Sequence, residues 1–284
     1  MRIAYLGTHE PMTARGTPWT TETAWAASLV LLGHEVIRVD EKTTPWATRV
    51  SITLGCDMLL WTSTWGYNEL WPQQEGFDAI DFLNERMPTA ALHLDRWWGL
   101  SNREHQIHDS PMFRCQHVFT PDGDHDGDWR KVHVNHHWLP AGVYGPECVP
   151  GVPRDEWRSD VAFVGNINYG HREHAADRSA MLDTLSEAFG DRMALWPRPS
   201  EPAPFGLDYN DLLASVKVVA ADSWAGSNRY WSNRVFEVVG RGGFCVHPDV
   251  DGLIDLLPEG SGVAYFPAGD WQTMCEVIEE WVLS

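Results

Sequence analysis

Lysine is nearly absent from this chain. Of 284 residues only Lys42, Lys131 and Lys217 are lysine, against 18 arginines and 40 acidic residues, for a formal net charge of −19. The deficit is shared, with 11 basic and 19 acidic groups in residues 1–150 and 10 and 21 in residues 151–284. Such a surface repels phosphate backbones and argues against bulk nucleic-acid binding, although a local basic pocket can still take one small phosphorylated ligand. The arginine excess fits GC-rich codon usage and by itself does not show diphosphate binding. Cysteine is sparse: Cys56, Cys115, Cys148, Cys245 and Cys275 are odd in number and form no C-x-x-C. That excludes a disulfide framework and a zinc site of the usual spacing, and suits a reducing compartment. Long apolar runs are missing. Nothing approaches the ~20 residues of a membrane span, and the short run in "MRIAYLG" is too brief for a signal peptide. The expectation is a soluble, cytoplasmic protein. A G-x-G-x-x-G is lacking too. The first strand ends at Gly7 alone, so a dinucleotide fingerprint fails although Asp40 closes the second strand as a ribose ligand does.

What is present is an alternation of apolar runs and helical stretches. Apolar content of 43% is that of a globular protein, and the length suits one large domain or two. "RIAYLG" reads as a strand. "TETAWAASLVLLG" places Trp25, Leu29 and Leu32 on one helical face, with Gly33 as the stop. "HEVIRVD", "CDMLLW", "TAALHLD", "HVFT" and "KVHVN" read as further strands. "LPAGVYGPECVPGVPRDEW", with four prolines and three glycines, reads as a linker over 139–157. The alternation then restarts with "SDVAFVGN", a helix near 173–189, "RMALWP", "VKVVAAD", "GFCVHP", "GVAYF" and a last helix "WQTMCEVIEEWVL". The fold class expected is α/β: two Rossmann-like domains, 1–145 and 146–284, facing a cleft.

The densest signal is "YWSNRVFEVVGRGGFCVHP", residues 230–248. Phosphate-binding glycines follow a strand and precede a helix. Here the helix comes first, so Gly240 or Gly242 is placed to end it with a positive φ. Ser232 is the expected N-cap. At about 100° per residue, Asn233, Arg234 and Glu237 share one face, and Val235, Phe236, Val238 and Val239 face inward. A guanidinium, a carboxylate and a helix N-terminus on one face can hold a sugar nucleotide, with Arg on diphosphate and Glu on ribose. The same residues can equally form a surface Arg–Glu pair at i,i+3.

The stretch resembles the C-terminal domain of GT-B glycosyltransferases, in the family-four-like group that includes the CgeB-like spore-maturation proteins. That group carries an S-[ND]-R-x-[FY]-E-x-x-G-x-G-G-F pattern. The resemblance runs over roughly residues 158–270, through "DVAFVGN", "HREHAADRSAMLDTL" and "FGLDYNDLLASVKVVAADS". It implies a donor-binding set of Gly165, Asn166, Arg178, Asn233, Arg234 and Glu237. Glu237 would bond the nucleotide ribose, Arg234 and Arg178 would lie near the diphosphate, and Gly165 and Asn166 would form the loop after the first strand of the donor domain. It also implies a UDP- or GDP-type sugar donor as substrate, retention at the anomeric carbon, and no cofactor or bound metal. The sequence departs from the group's E-x₇-E pattern, because position 229 is Arg. That leaves the donor sugar open. The end at "EEWVLS" stops short of the long final helix common in this fold, as in a truncated or compact form.

In the other half, "YLGTHEP" makes His9 and Arg15 candidate cleft contacts. "ALHLDRWWGL" puts His93 and Asp95 at the carboxyl end of a parallel strand, where either could orient or deprotonate an acceptor hydroxyl. The alternative is a buried, hydrogen-bonded turn. "PDGDHDGDW" alternates Asp122, Asp124, Asp126 and Asp128, but the twelfth position of a calcium loop would be His133, so a mobile solvated loop is expected. His136 and His137 lack a third ligand at useful spacing. Three alternatives to a metal-free transferase stay open. One is a sugar-nucleotide binder without catalysis, another a metal-dependent transferase using Asp122 and Asp124, and the last a nicotinamide oxidoreductase. The acceptor is unassigned among protein, glycan, small molecule and modified nucleobase.

Overall fold

Short apolar runs buried on both faces are what parallel sheets covered by helices require, and two such sheets form. The computed structural model of the protein describes residues 1–10, 12, 20–62, 73–98, 100–166, 172–198, 201–223 and 229–283, without the side chains of 101–102 and 172–176. The chain divides into two compact units, Met1–Pro140 and Ala141–Ser284.

Unit 1 alternates β1 (Arg2–Gly7), α1 (Thr21–Leu31), β2 (Glu35–Asp40), α2 (Trp46–Thr53), β3 (Met58–Thr62), α3 (Gln73–Asn84) and β4 (Thr89–Leu92). It continues with α4 (Ser101–Glu104), β5 (His117–Thr120), α5 (Asp126–Lys131) and β6 (His136–Trp138). Its sheet is wholly parallel, in the order β2-β1-β3-β4-β5-β6. Trp61, Trp97 and Trp129 are fully buried in its core with Leu6, Ile80 and Val118.

Unit 2 alternates β7 (Ser159–Val164), α6 (Arg172–Phe189), β8 (Met193–Trp196), α7 (Leu207–Ser215), β9 (Val216–Ala220) and α8 (Arg234–Gly240). It ends with β10 (Cys245–Pro248), α9 (Leu253–Leu256), β11 (Val263–Phe266) and α10 (Trp271–Leu283). Its parallel sheet is ordered β11-β10-β9-β7-β8. The terminal helix α10 buries Met274, Cys275, Ile278 and Val282 against a core built on Phe163 and Val218. The five cysteines are free thiols. Among the described residues no helix is long and apolar enough to cross a membrane.

Four local expectations need correction. Helix α1 buries Glu22, Thr23 and Ala26, whereas Leu32, its C-cap residue, is 73% exposed. Close packing on β1 selects this face: a Cβ on Gly7 would lie 3.0 Å from Glu22 Cγ. "KVHVN" is not a strand, because Lys131 ends α5 and His133 takes a φ of 59°, so pairing begins only at His136. β4 stops at Leu92, which leaves His93 and Asp95 in the turn after it.

The fourth concerns the proline- and glycine-rich segment. From Ala141 to Trp157 it is docked on α7 of unit 2. Asn210 Nδ2 donates to the carbonyls of Glu147 and Val149 at 2.8 and 2.7 Å. The Val152 amide donates to Asp211 at 2.8 Å, and Arg154 pairs with Asp208 and Asp211. Gly151 passes so close that a Cβ there would sit 2.0 Å from the Asn210 carbonyl oxygen.

Candidate functional site

In unit 2 the strand order reverses at β7, which has β8 on one side and β9 on the other. Where strand order reverses in an open parallel sheet, the carboxyl ends of the strands leave a crevice. Gly165, just past β7, is tied there by its amide donating to the Trp196 carbonyl at 2.9 Å. Asp222 stands two residues past the end of β9.

Asp222 holds two guanidinium groups. Its carboxylate accepts from Arg178 Nε at 2.6 Å and Arg234 Nη1 at 2.7 Å, with all three side chains 13% exposed or less. Arg178 also donates to the Asn166 carbonyl at 2.7 Å. Both guanidiniums lie near the Phe163 ring, 5.7 and 4.9 Å from its centre, within cation–π range. Burial works to raise the Asp222 pKa, but Arg234 and Arg178 outweigh it and hold the carboxyl below the usual range. The cluster carries one net positive charge, and the absence of a side chain at Gly165 makes room for it. A Cβ there would lie 2.4 Å from Arg234 Nη2.

Helix α8 carries the rest. With seven residues it is too short to stand alone, so burial of Val235 and Val238, about 1.5–3 kcal/mol each, keeps it in place. It starts one residue later than expected: Asn233 is the N-cap position, and Ser232 Oγ accepts the Arg234 amide at 3.3 Å. It ends as expected, with Gly242 at a φ of 85°. The Asn233 side chain donates to Glu237 Oε1 at 3.1 Å. Burial pushes the Glu237 carboxyl upward, Arg241 and Arg234 oppose it, and the net shift is a raised pKa.

Asn233, Arg234, Glu237 and Arg241 line one wall of a cavity of about 230 Å³. Val164, Pro204, Phe205, Gly206 and Tyr209 form the other walls. The cavity thus offers guanidinium donors, one carboxylate acceptor, a half-exposed phenyl ring and a buried phenol. Burial raises the pKa of that Tyr209 phenol.

The six residues that the resemblance implied for donor binding are therefore neighbours in space. Three polar partners escaped the sequence reading. Asp222 had a signal, an acid at the end of the apolar run "VVAAD". Arg241 had one too, one helical turn after Glu237. Glu147 had none, since its partner Arg241 lies 94 residues on.

The unit 1 candidates are placed differently. His93 is 1% exposed. Burial lowers its pKa to about 4, and its ring Nδ1 accepts the Asp95 amide at 3.1 Å. Asp95 is partly exposed and paired with Arg103 at 3.1 Å. His9 bonds the Tyr5 carbonyl through Nε2 at 2.9 Å, and Arg15 lies outside the described residues. Asp122 is not in a solvated loop. It is 0% exposed and accepts the Trp97 and Trp98 amides at 2.9 and 3.1 Å and the Thr120 hydroxyl at 2.8 Å. With its oxygens so committed, it braces the 95–98 turn, and Asp124 beside it has a φ of 61°. Among the described residues no group of three or more His, Cys, Asp or Glu is placed to hold a metal ion.

Neither a protein-family model nor a curated protein sequence matches the chain. Solved structures do. The chain is similar to Anabaena Alr3699/HepE in complex with UDP and glucose, at 11% identity over 98% of this chain and 89% of that one, with a TM-score of 0.60. It is similar to WaaG, a glycosyltransferase involved in lipopolysaccharide biosynthesis, at 12% identity over 99% and 90%, TM-score 0.58. It is also similar to sucrose-phosphate synthase from Thermosynechococcus elongatus, at 10% identity over 100% and 90%, TM-score 0.57. With its two parallel Rossmann-like sheets, the chain has the fold of the GT-B glycosyltransferases.

Proposed function

We propose that the chain is a glycosyltransferase whose donor, a nucleoside-diphosphate sugar of the UDP or GDP kind, occupies the unit 2 cavity. The observation that carries this reading is the meeting of Arg178 and Arg234 on Asp222 where the strand order reverses, with Arg234 and Glu237 lining the cavity. In this reading the two guanidiniums face the diphosphate, with bidentate donor geometry suited to phosphate oxygens. Glu237, oriented by Asn233, accepts from the ribose hydroxyls. Gly165 gives Arg234 the room to stand at the end of β7, and the Asn166 carbonyl anchors Arg178 beside it. UDP in the Anabaena HepE complex supports the same ligand class.

The finer proposals follow from the resemblance. The anomeric centre is retained, and the group is the CgeB-like one. No metal or other cofactor takes part: guanidinium charge counters the developing charge on the leaving diphosphate, which is the electrostatic work a metal would do. Asp95 orients or activates the acceptor hydroxyl. His93, neutral and buried, holds the turn that presents it.

Calorimetric titration with UDP, GDP and their glucose conjugates tests the donor reading, followed by a donor-hydrolysis assay. Binding of one nucleotide, with hydrolysis or transfer abolished in Glu237→Ala, is expected. Absence of binding by every nucleotide would refute it. Binding with no turnover under any acceptor would leave a sugar-nucleotide binder.

A further inference from the structure

Arg241 lines the cavity yet is only 7% exposed. Three acceptors hold its guanidinium: the Glu147 carboxylate, Asn210 Oδ1 at 2.8 Å and the Gly206 carbonyl at 3.1 Å. Glu147 is itself 5% exposed and arrives on the docked segment ahead of β7. Asn210 Nδ2 donates back to the Glu147 carbonyl at 2.8 Å, so side chain and backbone of Glu147 are both gripped.

One guanidinium thus joins the docked segment, the start of α7, the Gly206 turn and the end of α8. The Gly206 turn has little stiffness of its own. Its φ of 60° and ψ of −129° belong to glycine alone, and no side chain caps α7 there. The half-exposed Phe205 precedes it in the cavity wall. Arg234 lies seven residues before Arg241, about 10 Å away along a helix axis, and Glu237 lies between them. The diphosphate cluster at that other end is held by its own carboxylate, Asp222.

We propose that Glu147 and Arg241 are a positioning pair that fixes the Gly206 wall and thereby sets affinity for the nucleoside part of the ligand, leaving the diphosphate end unaffected. This rests on reading the cavity as a nucleotide site.

The test compares two probes, UDP and inorganic pyrophosphate, by calorimetry on the full chain. Glu147→Gln and the shorter acid Glu147→Asp are each expected to weaken UDP about tenfold and to leave pyrophosphate unchanged. Because a lone buried charge can unfold a variant, Glu147→Met with Arg241→Met removes both charges together. That double variant should bind UDP no worse than Arg241→Met alone, the non-additivity of two groups acting as one. Unchanged UDP affinity in the Glu147 variants would overturn the proposal. So would an equal loss of both probes, which marks general damage, or a wild type that binds UDP but not pyrophosphate. A wild type that binds neither fails earlier, at the nucleotide reading itself.

Discussion

Gly165→Ala adds one methyl group at the end of β7 and should disable the end of the site proposed to take the diphosphate. The built Cβ lies 2.4 Å from Arg234 Nη2, where ordinary contact begins at 3.4 Å, so the guanidinium must retreat by about 1 Å. Retreat is resisted, because Arg234 Nη1 is bonded to Asp222 at 2.7 Å and the side chain is 13% exposed. Gly165 is not among the glycines of positive φ, so the methyl strains no backbone and the whole effect passes through Arg234. A charge-assisted hydrogen bond is worth about 1.5–3 kcal/mol. At about 1.4 kcal/mol per factor of ten, misplacing one such donor weakens UDP roughly 10- to 150-fold. Isothermal titration with UDP measures this directly. Gly142→Ala is the control, since nothing lies within 4 Å of a Cβ there. A Gly165→Ala protein that binds UDP within threefold of wild type, with Gly142→Ala also unchanged, would refute the placement of Arg234 at the ligand.

Glu237→Gln separates stability from binding. Burial raises the Glu237 pKa in the folded protein, so its ionised form penalises the fold above its unfolded value, and the penalty disappears as pH falls. The variant should melt higher than wild type at pH 7 and bind UDP more weakly, and it should lack the acidic limb expected of wild-type binding as Glu237 protonates. Melting curves and titrations across pH check both signs. Asp222→Asn should do the reverse to stability. It leaves two buried guanidiniums without their carboxylate, at about 3–5 kcal/mol. Because the Asp222 pKa is depressed when folded, the melting gap from wild type should be full at pH 7, begin to shrink only below about pH 4, and vanish as pH falls through the lower folded value. Gly151→Ala should destabilise by about 3 kcal/mol in chemical denaturation, since the new Cβ meets the rigid Asn210 backbone at 2.0 Å.

The strands were legible for a physical reason: a strand covered on both faces is a short apolar run, as "RIAYLG" and "DVAFV" are, and such runs are too short to make a helix of ordinary length. "KVHVN" failed because alternation alone does not report that His133 takes a left-handed turn. The face of α1 was misread because its buried residues are small and polar, Ala26, Thr23 and Glu22, while Leu31 and Leu32 are exposed. Arg234 and Glu237 were readable because their relation is local, three residues on one helix. The long-range pairings around them were not. Asp222 meets Arg178 across 44 residues and Glu147 meets Arg241 across 94, and no local spacing encodes such pairs. Residues 139–157 misled for the opposite reason. Glycine and proline mark a hinge in most contexts, but a missing side chain also lets one backbone lie against another, as Gly151 does on α7.

That docking has a consequence for modular recombination. A transferable second unit would by eye be cut just ahead of β7, at Arg158, where the second sheet begins. Such a cut leaves behind Glu147, the counter-ion of Arg241, and Arg154, which clasps Asp208 and Asp211. The self-contained piece starts near Ala141, so only a crossover ahead of this strap keeps both sets of ion pairs within one parent.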